Sequence, residues 1–175
     1  MPSWIPVPGT TSGRLVSAAL DLFGAEGYAP VGVGAIAARA EVTTGSLYHH
    51  FGSKAGLYRL VRADVEQRVL DRLEGAASSR GVAAVADLAP VLLVGFDYLV
   101  RSGSARLLGE GSPDIEGDAQ PDPIETMLNR LIGNDGAAIG ALVAAAWRAA
   151  LLRASEGPEA AADARSSLER LLTGA

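Results

Sequence analysis

The chain has 175 residues, of which 49% are hydrophobic and 5% aromatic, with a formal net charge of −5. Its many alanines and glycines favour closely packed helices over a sheet, and its length suits one or two domains with a substantial core. The absence of cysteine excludes a disulfide framework, a thiolate nucleophile and a cysteine-based zinc site.

No apolar run approaches the ~20 residues of a membrane span. The first residues also lack the basic and then apolar pattern of a secretory signal. We therefore expect no membrane association and a cytoplasmic location.

Positive charge is concentrated near the N-terminus. Residues 1–62 carry five basic and three acidic side chains, a net charge of +2, whereas residues 63–175 carry ten basic and 17 acidic ones, a net charge of −7. Because the distribution of charge matters more than its sum, an acidic chain with a basic head remains compatible with nucleic-acid binding.

The first predicted elements are an arm and a helix. Residues 1–13 are rich in Pro, Gly, Ser and Thr, which predicts an extended arm, and this arm has no Lys or Arg to place on DNA. Apolar residues at three- and four-residue spacing predict a helix over residues 14–25, which Gly27 would end.

Two short helices are predicted next, over residues 33–40 and 44–51, on either side of a tight turn at residues 41–43. Apolar side chains, among them Ile36 and Leu47, would pack the two helices against each other. Thr43 is a favourable N-cap for the second helix, because its hydroxyl can accept a hydrogen bond from a first-turn amide. The pattern is that of a helix–turn–helix unit.

The second of these helices presents one small, polar face. On a helical wheel Leu47 and Phe51 point inward. The opposite side carries Gly45 and His49, flanked by Ser46 and Tyr48. Since no acidic residue lies on this face, it allows a close backbone approach to DNA without repelling phosphates. Lys54 follows, with Ser53 as the predicted cap, where a cation and free amides can hold a phosphate.

Two other interpretations fit parts of this stretch. Any helical hairpin with a solvated face gives the same spacing. Residues 32–37 also match the GxGxxA dinucleotide fingerprint, which works only between a buried strand and a helix. Residues 26–30 do not predict a strand, so we interpret that match as a coincidence.

Several short motifs, taken together, resemble the N-terminal DNA-binding domain of the TetR family of bacterial transcriptional regulators. They lie within about residues 11–62: AALDLF at 18–23, EGY at 26–28, IA at 36–37, VTTGSLYHHF at 42–51 and SK at 53–54. The resemblance implies an all-α protein of two domains. Residues 1–54 would form a three-helix DNA-binding domain with a helix–turn–helix, and residues 55–175 a helical ligand-binding and dimerisation domain.

The same resemblance implies a homodimer on a double-stranded DNA operator, with the 44–51 helix in the major groove. Phosphates would be held by Thr43, Thr44, Tyr48 and Lys54. Base edges would lie nearest to Gly45, Ser46 and His49.

Two departures from the family pattern bear on DNA affinity. A Thr or Ser usually caps the second helix, whereas residues 31–34 read VGVG, so backbone amides at residues 32–34 must replace that hydroxyl. Glu41 occupies a turn position where the family commonly has Gly, and it adds a negative charge.

The remaining helices follow from periodicity and helix breakers. A long helix from residue 53 to about 78 would link the two halves. Further helices are predicted over residues 83–101, bent or restarted near Ala89 because of Pro90, and over 102–108, 124–132, 137–155 and 158–172. Residues 109–123 are acidic and rich in Pro and Gly, and form either a disordered loop or one that lies over a pocket mouth.

The resemblance implies a small, largely apolar effector bound within the C-terminal body. The candidate contacts are Leu92, Phe96, Leu99, Met127, Leu131 and Trp147. Asp97, Tyr98 and Arg148 are candidate polar partners. Each of these residues suits a plain core equally well. The last two helices, about 137–155 and 158–172, would pair with a second subunit, and an intramolecular core is the alternative.

Catalysis is not expected. His49 and His50 are adjacent, so they point about 100° apart on a helix and cannot share a metal in cis. The sequence has no P-loop, HExxH or Ser–His–Asp arrangement, and the acids at residues 114–122 do not match a calcium loop. We expect no enzyme activity, metal or cofactor.

We therefore predict a ligand-responsive transcriptional regulator, a repressor that its effector releases from DNA. Two alternatives remain. One is a helical protein–protein interaction module with a weakened DNA reader, and the other is a helical ligand-binding or enzymatic protein.

Overall fold

A computed structural model describes residues 7, 9–111, 121–133 and 137–174, and this part of the chain is helical without a strand. Its α-helices are α1 Thr11–Glu26, α2 Val33–Arg39, α3 Thr44–Phe51, α4 Lys54–Arg80, α5 Leu88–Arg101, α6 Ala105–Gly109, α7 Pro123–Ile132, α8 Ala137–Ala154 and α9 Pro158–Thr173. The predicted all-α fold is confirmed. Most of the predicted arm and of the 109–123 loop lies outside the described residues.

Helix boundaries differ from prediction where caps were missed. The first helix begins three residues early, at Thr11, because the Thr10 hydroxyl accepts a hydrogen bond from the Gly13 amide at 3.1 Å and caps the helix. The predicted 102–108 helix begins only at Ala105, since the chain first turns through Gly103, whose φ is +68°. By contrast, α3 begins and ends where predicted.

The predicted 83–101 helix restarts rather than bends. A short 3₁₀ turn, Val85–Asp87, precedes α5, and the Asp87 carboxylate accepts hydrogen bonds from the amides of Ala83 and Ala84, each at 2.9 Å. Pro90 is the third residue of α5, so its missing N–H falls in the first turn, where it removes no intrahelical hydrogen bond.

The first three helices share one core with the start of α4. Its fully buried side chains come from each of these helices: Leu15, Ala19, Phe23, Ile36, Leu47 and Leu57. Burial of this kind contributes about 1.5–3 kcal/mol per large apolar side chain. Leu47 is the single buried residue of α3, the predicted recognition helix, and it anchors that helix in this core.

The longest helix, α4, has 27 residues and joins this part of the hydrophobic core to a C-terminal part that is continuous with it, which we call the second core. At about 1.5 Å per residue it is about 40 Å long. Its first half buries Leu57 and Val61, and its second half buries Val69 and Leu73. One continuous helix thus belongs to both halves of the molecule.

The second core is closed by a tryptophan. Trp147 of α8 is fully buried and donates from Nε1 to the Leu92 carbonyl oxygen at 3.0 Å. Gly95 of α5 lies beside it, and a Cβ there would come within 2.9 Å of Leu73 Cδ2 and 3.2 Å of Trp147 Cζ2. Glycine therefore permits the close approach of α4, α5 and α8.

Arg148 connects four helices through polar contacts. Its guanidinium donates to the Leu108 carbonyl oxygen at 2.8 Å and pairs with Asp122 at 2.5 Å, while Glu66 lies 3.8 Å away. The Glu66 side chain is only 16% exposed. Burial raises the pKa of Glu66, although Arg62 and Arg148 act against this shift.

This raised pKa predicts a pH-dependent loss of stability. A folded carboxyl that holds its proton more tightly than the unfolded chain stabilises the fold at low pH, and that contribution is lost as pH rises through its folded pKa. Relative to Glu66→Gln, the free energy of unfolding of the natural chain should therefore fall between about pH 4 and pH 7. Urea unfolding at these two values measures it.

Glu74→Gln, an exposed substitution on the same helix, is the control. If the difference in unfolding free energy between the natural chain and Glu66→Gln stays constant across this range, the Glu66 account is wrong.

Candidate nucleic-acid interface

Hydroxyl groups fix the start of α3. Thr43 Oγ1 accepts a hydrogen bond from the Ser46 amide at 3.3 Å, and the Thr43 and Ser46 hydroxyls lie 3.0 Å apart. The predicted N-cap is therefore confirmed. These two side chains hold each other in place at the tip of the helix, which pre-orients the first turn.

The predicted polar face of α3 points to solvent. Its exposed members are Thr43, Thr44, Gly45, Tyr48 and His49, and Ser46 is half-buried. Tyr48 is 54% exposed, whereas Leu47 beside it is fully buried. A Cβ at Gly45 would meet only Thr43 Oγ1, at 3.7 Å, so the fold itself does not require glycine there.

Lys54 begins α4 as predicted, and its ammonium group contacts the loop between α1 and α2. Its Nζ donates to the carbonyl oxygens of Tyr28 and Val31, each at 2.8 Å, and approaches that of Ala29 at 3.5 Å. It also lies 4.2 Å from the centre of the Tyr28 ring. The ammonium thus ties the start of α4 to the loop between α1 and α2, a role that sequence reasoning missed. A phosphate contact by Lys54 stays a prediction.

The turn between α2 and α3 holds Glu41 in the left-handed region. Its φ is +54°, the only positive value among the non-glycine residues that the structure describes. This conformation explains why glycine suits the position, because a side chain there costs roughly 1–2 kcal/mol. Glu41 is exposed, so its negative charge stands next to the face of α3.

The start of α2 matches the expectation from its sequence. Gly32 is the N-cap and provides no side-chain hydrogen bond, and a Cβ at Gly32 or Gly34 would meet nothing within 4 Å. No side chain therefore caps the first-turn amides. At its other end Arg39 pairs with Asp21 at 2.7 Å, which compensates one of the positive charges.

Comparison with known proteins identifies this unit. Residues 15–61 match the family described as "Bacterial regulatory proteins, tetR family". This part of the chain is therefore similar to the N-terminal domain of TetR-family regulators. No curated protein matches the chain in sequence.

Solved structures extend the likeness to the whole fold. A TetR-family transcriptional regulator from Pectobacterium atrosepticum is similar at 24% identity, over 94% of this chain and 93% of that one, with a TM-score of 0.66. A TetR-like transcriptional regulator from Rhodococcus sp. RHA1 is 24% identical, over 97% and 99%, with a TM-score of 0.67. A γ-butyrolactone receptor, described as ArpA-like, is 21% identical, over 92% and 96%, with a TM-score of 0.55.

The TetR-type domain is joined to the rest of the chain by polar contacts at α6. Arg62 of α4 is 7% exposed, and its Nη1 donates to the carbonyl oxygens of Leu107 and, at 3.1 Å, Glu110. The Glu110 carboxylate in turn accepts a hydrogen bond from the Tyr28 amide at 3.3 Å. We call this arrangement of Lys54, Arg62, Glu110 and the Tyr28–Val31 loop the interdomain joint.

The predicted effector contacts lie in the second core. Leu92, Phe96, Leu99, Met127 and Trp147 are buried, and Leu131 is half-buried. None of the six lines the cavity beside α1, the one at the turn between α8 and α9, or the one between α1 and the end of α2. The structure thus gives each a packing role, and effector contact by these residues stays a prediction.

Their predicted polar companions are also engaged. Asp97 pairs with Arg165 at 2.9 Å, and Arg148 pairs with Asp122. The guanidinium carbon of Arg72 lies 3.8 Å from the centre of the Tyr98 ring. These contacts stabilise the body, which accounts for the polar groups without a ligand.

The described residues contain neither a cluster of metal ligands nor a membrane-spanning helix. The rings of His49 and His50 are 5.2 Å apart, and no group of three metal-ligating side chains occurs among the described residues. Within those residues no helix is long and apolar enough to cross a membrane.

We predict that Lys54 is needed for stability before any DNA is present. Lys54→Met leaves the Tyr28 and Val31 carbonyls without their donor, so the free energy of unfolding should fall by about 1–3 kcal/mol. Tyr48→Ala removes an exposed side chain and should change it by less than about 0.5 kcal/mol. Urea unfolding of the two variants measures this difference, and equal stability would contradict the role assigned to Lys54.

Proposed function

We propose that the chain is a DNA-binding transcriptional regulator that acts as a homodimer and places α3 in the major groove. The carrying observation is the α3 face, which is exposed, free of acidic side chains and anchored from behind by the buried Leu47. Such a helix meets the steric and electrostatic needs of groove entry. The TetR-type domain and the fold of the whole chain support the same function.

The face divides into two sets of contacts under this proposal. Thr43, Thr44 and Tyr48 bind phosphates, while Gly45, Ser46 and His49 lie against base edges. Lys54 acts mainly by holding the loop, and it reaches a phosphate only if it gives up a carbonyl oxygen. Because phosphate contacts release counterions, binding should weaken steeply with salt.

A stripe on α8 supports the dimer. Apolar residues at alternating four- and three-residue spacing are exposed there: Ala138, Leu142, Ala145, Ala149 and Leu152. Leu142 is 70% exposed, and Leu171 of α9 is 66% exposed. Side chains of this size on one helical face favour burial against another helix, here in a second copy.

Not all of the small residues of α8 face outward. Gly140 and Ala144 are buried within the same chain. A Cβ at Gly140 would come within 1.9 Å of Asn129 Oδ1 on α7. One face of α8 therefore packs inside the chain, and the proposed dimer uses the opposite face.

A two-fold dimer predicts a palindromic operator whose half-sites are about one helical turn apart, or slightly more. Binding of a small, largely apolar effector in the C-terminal body would move α4, change the separation of the two α3 helices and release DNA. The chain would then act as a repressor. A structural neighbour that is named as a γ-butyrolactone receptor gives a precedent for ligand binding by this fold.

A second candidate function follows from Glu41. Its exposed carboxylate next to α3 opposes phosphate, and α2 lacks a capping hydroxyl. These features favour a helical protein–protein interaction module with a weakened DNA reader. Absence of salt-sensitive DNA binding would support it.

The DNA test is fluorescence anisotropy with sequences selected from random DNA, at several salt concentrations. The natural chain should bind in a salt-dependent way, and Tyr48→Ala should weaken binding about tenfold. Gly45→Ala should also weaken it, because the methyl group blocks close approach although the helix itself accepts alanine well. Glu41→Gln should strengthen it.

Gln67→Ala, an exposed change on α4, is the matched control. If no sequence is enriched, or if Tyr48→Ala and Gly45→Ala bind like the control, the proposed reading face is wrong.

The dimer is tested by Leu142→Glu. Burying a charge in an apolar interface is costly, so this variant should sediment as a monomer while the natural chain sediments as a dimer. Ala162→Glu, an exposed change on α9, should leave the dimer intact. An unchanged sedimentation coefficient for Leu142→Glu would place the interface elsewhere.

A further inference from the structure

A crevice of about 500 Å³ lies between the TetR-type domain and the C-terminal body. Its walls come from α1, from the end of α5 and the start of α6, and from the turn between α8 and α9. The apolar part of the lining includes Leu20, Val100, Ala105, Ala154, Pro158 and Ala161. None of the predicted effector contacts belongs to it, so this crevice is a different place from the second core.

Small residues create the space. A Cβ at Gly24 would come within 2.3 Å of the Gly103 carbonyl oxygen, so α1 meets the α5–α6 turn by direct backbone contact. Around that contact the facing walls carry alanine and glycine rather than large side chains. The close contact of α1 with the α5–α6 turn therefore leaves a hollow beside it, of a size typical for small-molecule sites.

One cation on the wall, Arg106, has an unused donor and only a long ion pair with Glu110. Arg106 Nε is buried and makes no hydrogen bond in the described part of the chain. Its Nη1 lies 3.6 Å from Glu110 Oε1, too far for a hydrogen bond. An unsatisfied buried donor is costly, and a carboxylate is the group that best fits a guanidinium.

The other charged group on the wall does not compete for the same ligand. Asp21 also lines the crevice, but Arg39 neutralises it at 2.7 Å. The Arg106 wall thus offers the crevice one weakly paired cation, and much of the remaining lining is apolar.

We propose that this crevice binds a small monocarboxylate with an apolar tail. The carboxylate pairs with Arg106, and the tail lies against the apolar wall of α1, α8 and α9. A second carboxylate would find no further cation on the lining, so dicarboxylates should bind more weakly than monocarboxylates. Matching alcohols and amines bind weakly, because they cannot pair with the guanidinium.

The crevice is connected to the DNA-binding face of α3, an inference that rests on the proposed function. A bound carboxylate draws the Arg106 guanidinium away from Glu110. Glu110 is the acceptor for the Tyr28 amide in the interdomain joint. When Arg106 leaves Glu110, the Glu110 carboxylate holds the Tyr28 amide differently. The Tyr28–Val31 loop, which binds Lys54, then shifts and moves α3 and α4 with it.

Binding is tested by isothermal titration of the full chain, without DNA, with straight-chain carboxylates from butanoate to dodecanoate. Octanol and octylamine are titrated in parallel. We expect saturable binding of at least one carboxylate, at least tenfold tighter than the alcohol and with no binding of the amine. Arg106→Gln should weaken it at least tenfold, while Arg101→Gln, an exposed change outside the crevice, should leave it unchanged.

Ala161→Phe provides a second test, since its ring fills the crevice without touching the charge. It should abolish carboxylate binding, and a circular dichroism spectrum checks that the variant folds. The proposal is overturned if no carboxylate binds, if octanol binds as tightly, or if both folded variants bind like the natural chain.

A separate experiment measures the effect of the ligand on DNA binding. The carboxylate that binds is added to the anisotropy assay, and a lowered operator affinity that Arg106→Gln prevents supports the connection. If the ligand binds but the protein binds no DNA, the proposed DNA binding by α3 is wrong and the proposed carboxylate site in the crevice stands. DNA binding that the ligand leaves unchanged would refute the connection alone.

Discussion

The ammonium group of Lys54 is the contact on which the arrangement of this molecule depends. It lies at the first residue of α4 and donates to two carbonyl oxygens of the α1–α2 loop, each at 2.8 Å. That loop would otherwise leave polar backbone groups half-buried beside the Phe23, Tyr28 and Tyr58 rings, where an unpaired carbonyl is costly. One cation thus fixes the loop, the start of α4 and, through Ser53 and Gly52, the end of α3.

The same loop is held from the other half of the chain. Glu110 accepts from the Tyr28 amide, and Arg62 binds the carbonyl oxygens at the end of α6. These contacts are directional, unlike the apolar burial around them, so they favour one relative placement of the two halves. The TetR-type domain is therefore held both by its own core and by contacts with the C-terminal body. A structural change at α6 would act directly on the loop next to α3 and α4.

Much of this fold follows from local sequence signals. Apolar periodicity and the Thr43 cap predict α3 with its observed bounds, because a short helix with one buried side and a capping hydroxyl has few alternatives. The restart of the helix near Ala89 follows from Pro90. The left-handed turn at Glu41 could not be inferred from the residue itself, since glutamate gives no signal of a positive φ.

What sequence reasoning missed depends on long-range contacts. Lys54 is 26 residues from Tyr28, and Arg62 is 48 residues from Glu110, so no local pattern pairs them. A lysine near the reader looks like a phosphate ligand until its acceptors are seen. The predicted effector contacts show a further limit, because Leu92 and Phe96 share the apolar periodicity of any buried helix face and periodicity cannot distinguish a pocket from a core.

The central claim is that the body holds the DNA-reading domain through the interdomain joint. Peptide-resolved hydrogen exchange of the natural chain and of Glu110→Ala tests it most directly, with the exposed Glu156→Ala as control. The account predicts faster exchange over residues 28–33 and 52–56 in Glu110→Ala, although the substitution lies at the end of α6. Faster exchange confined to residues around 110, with the loop and the start of α4 unchanged, would contradict it.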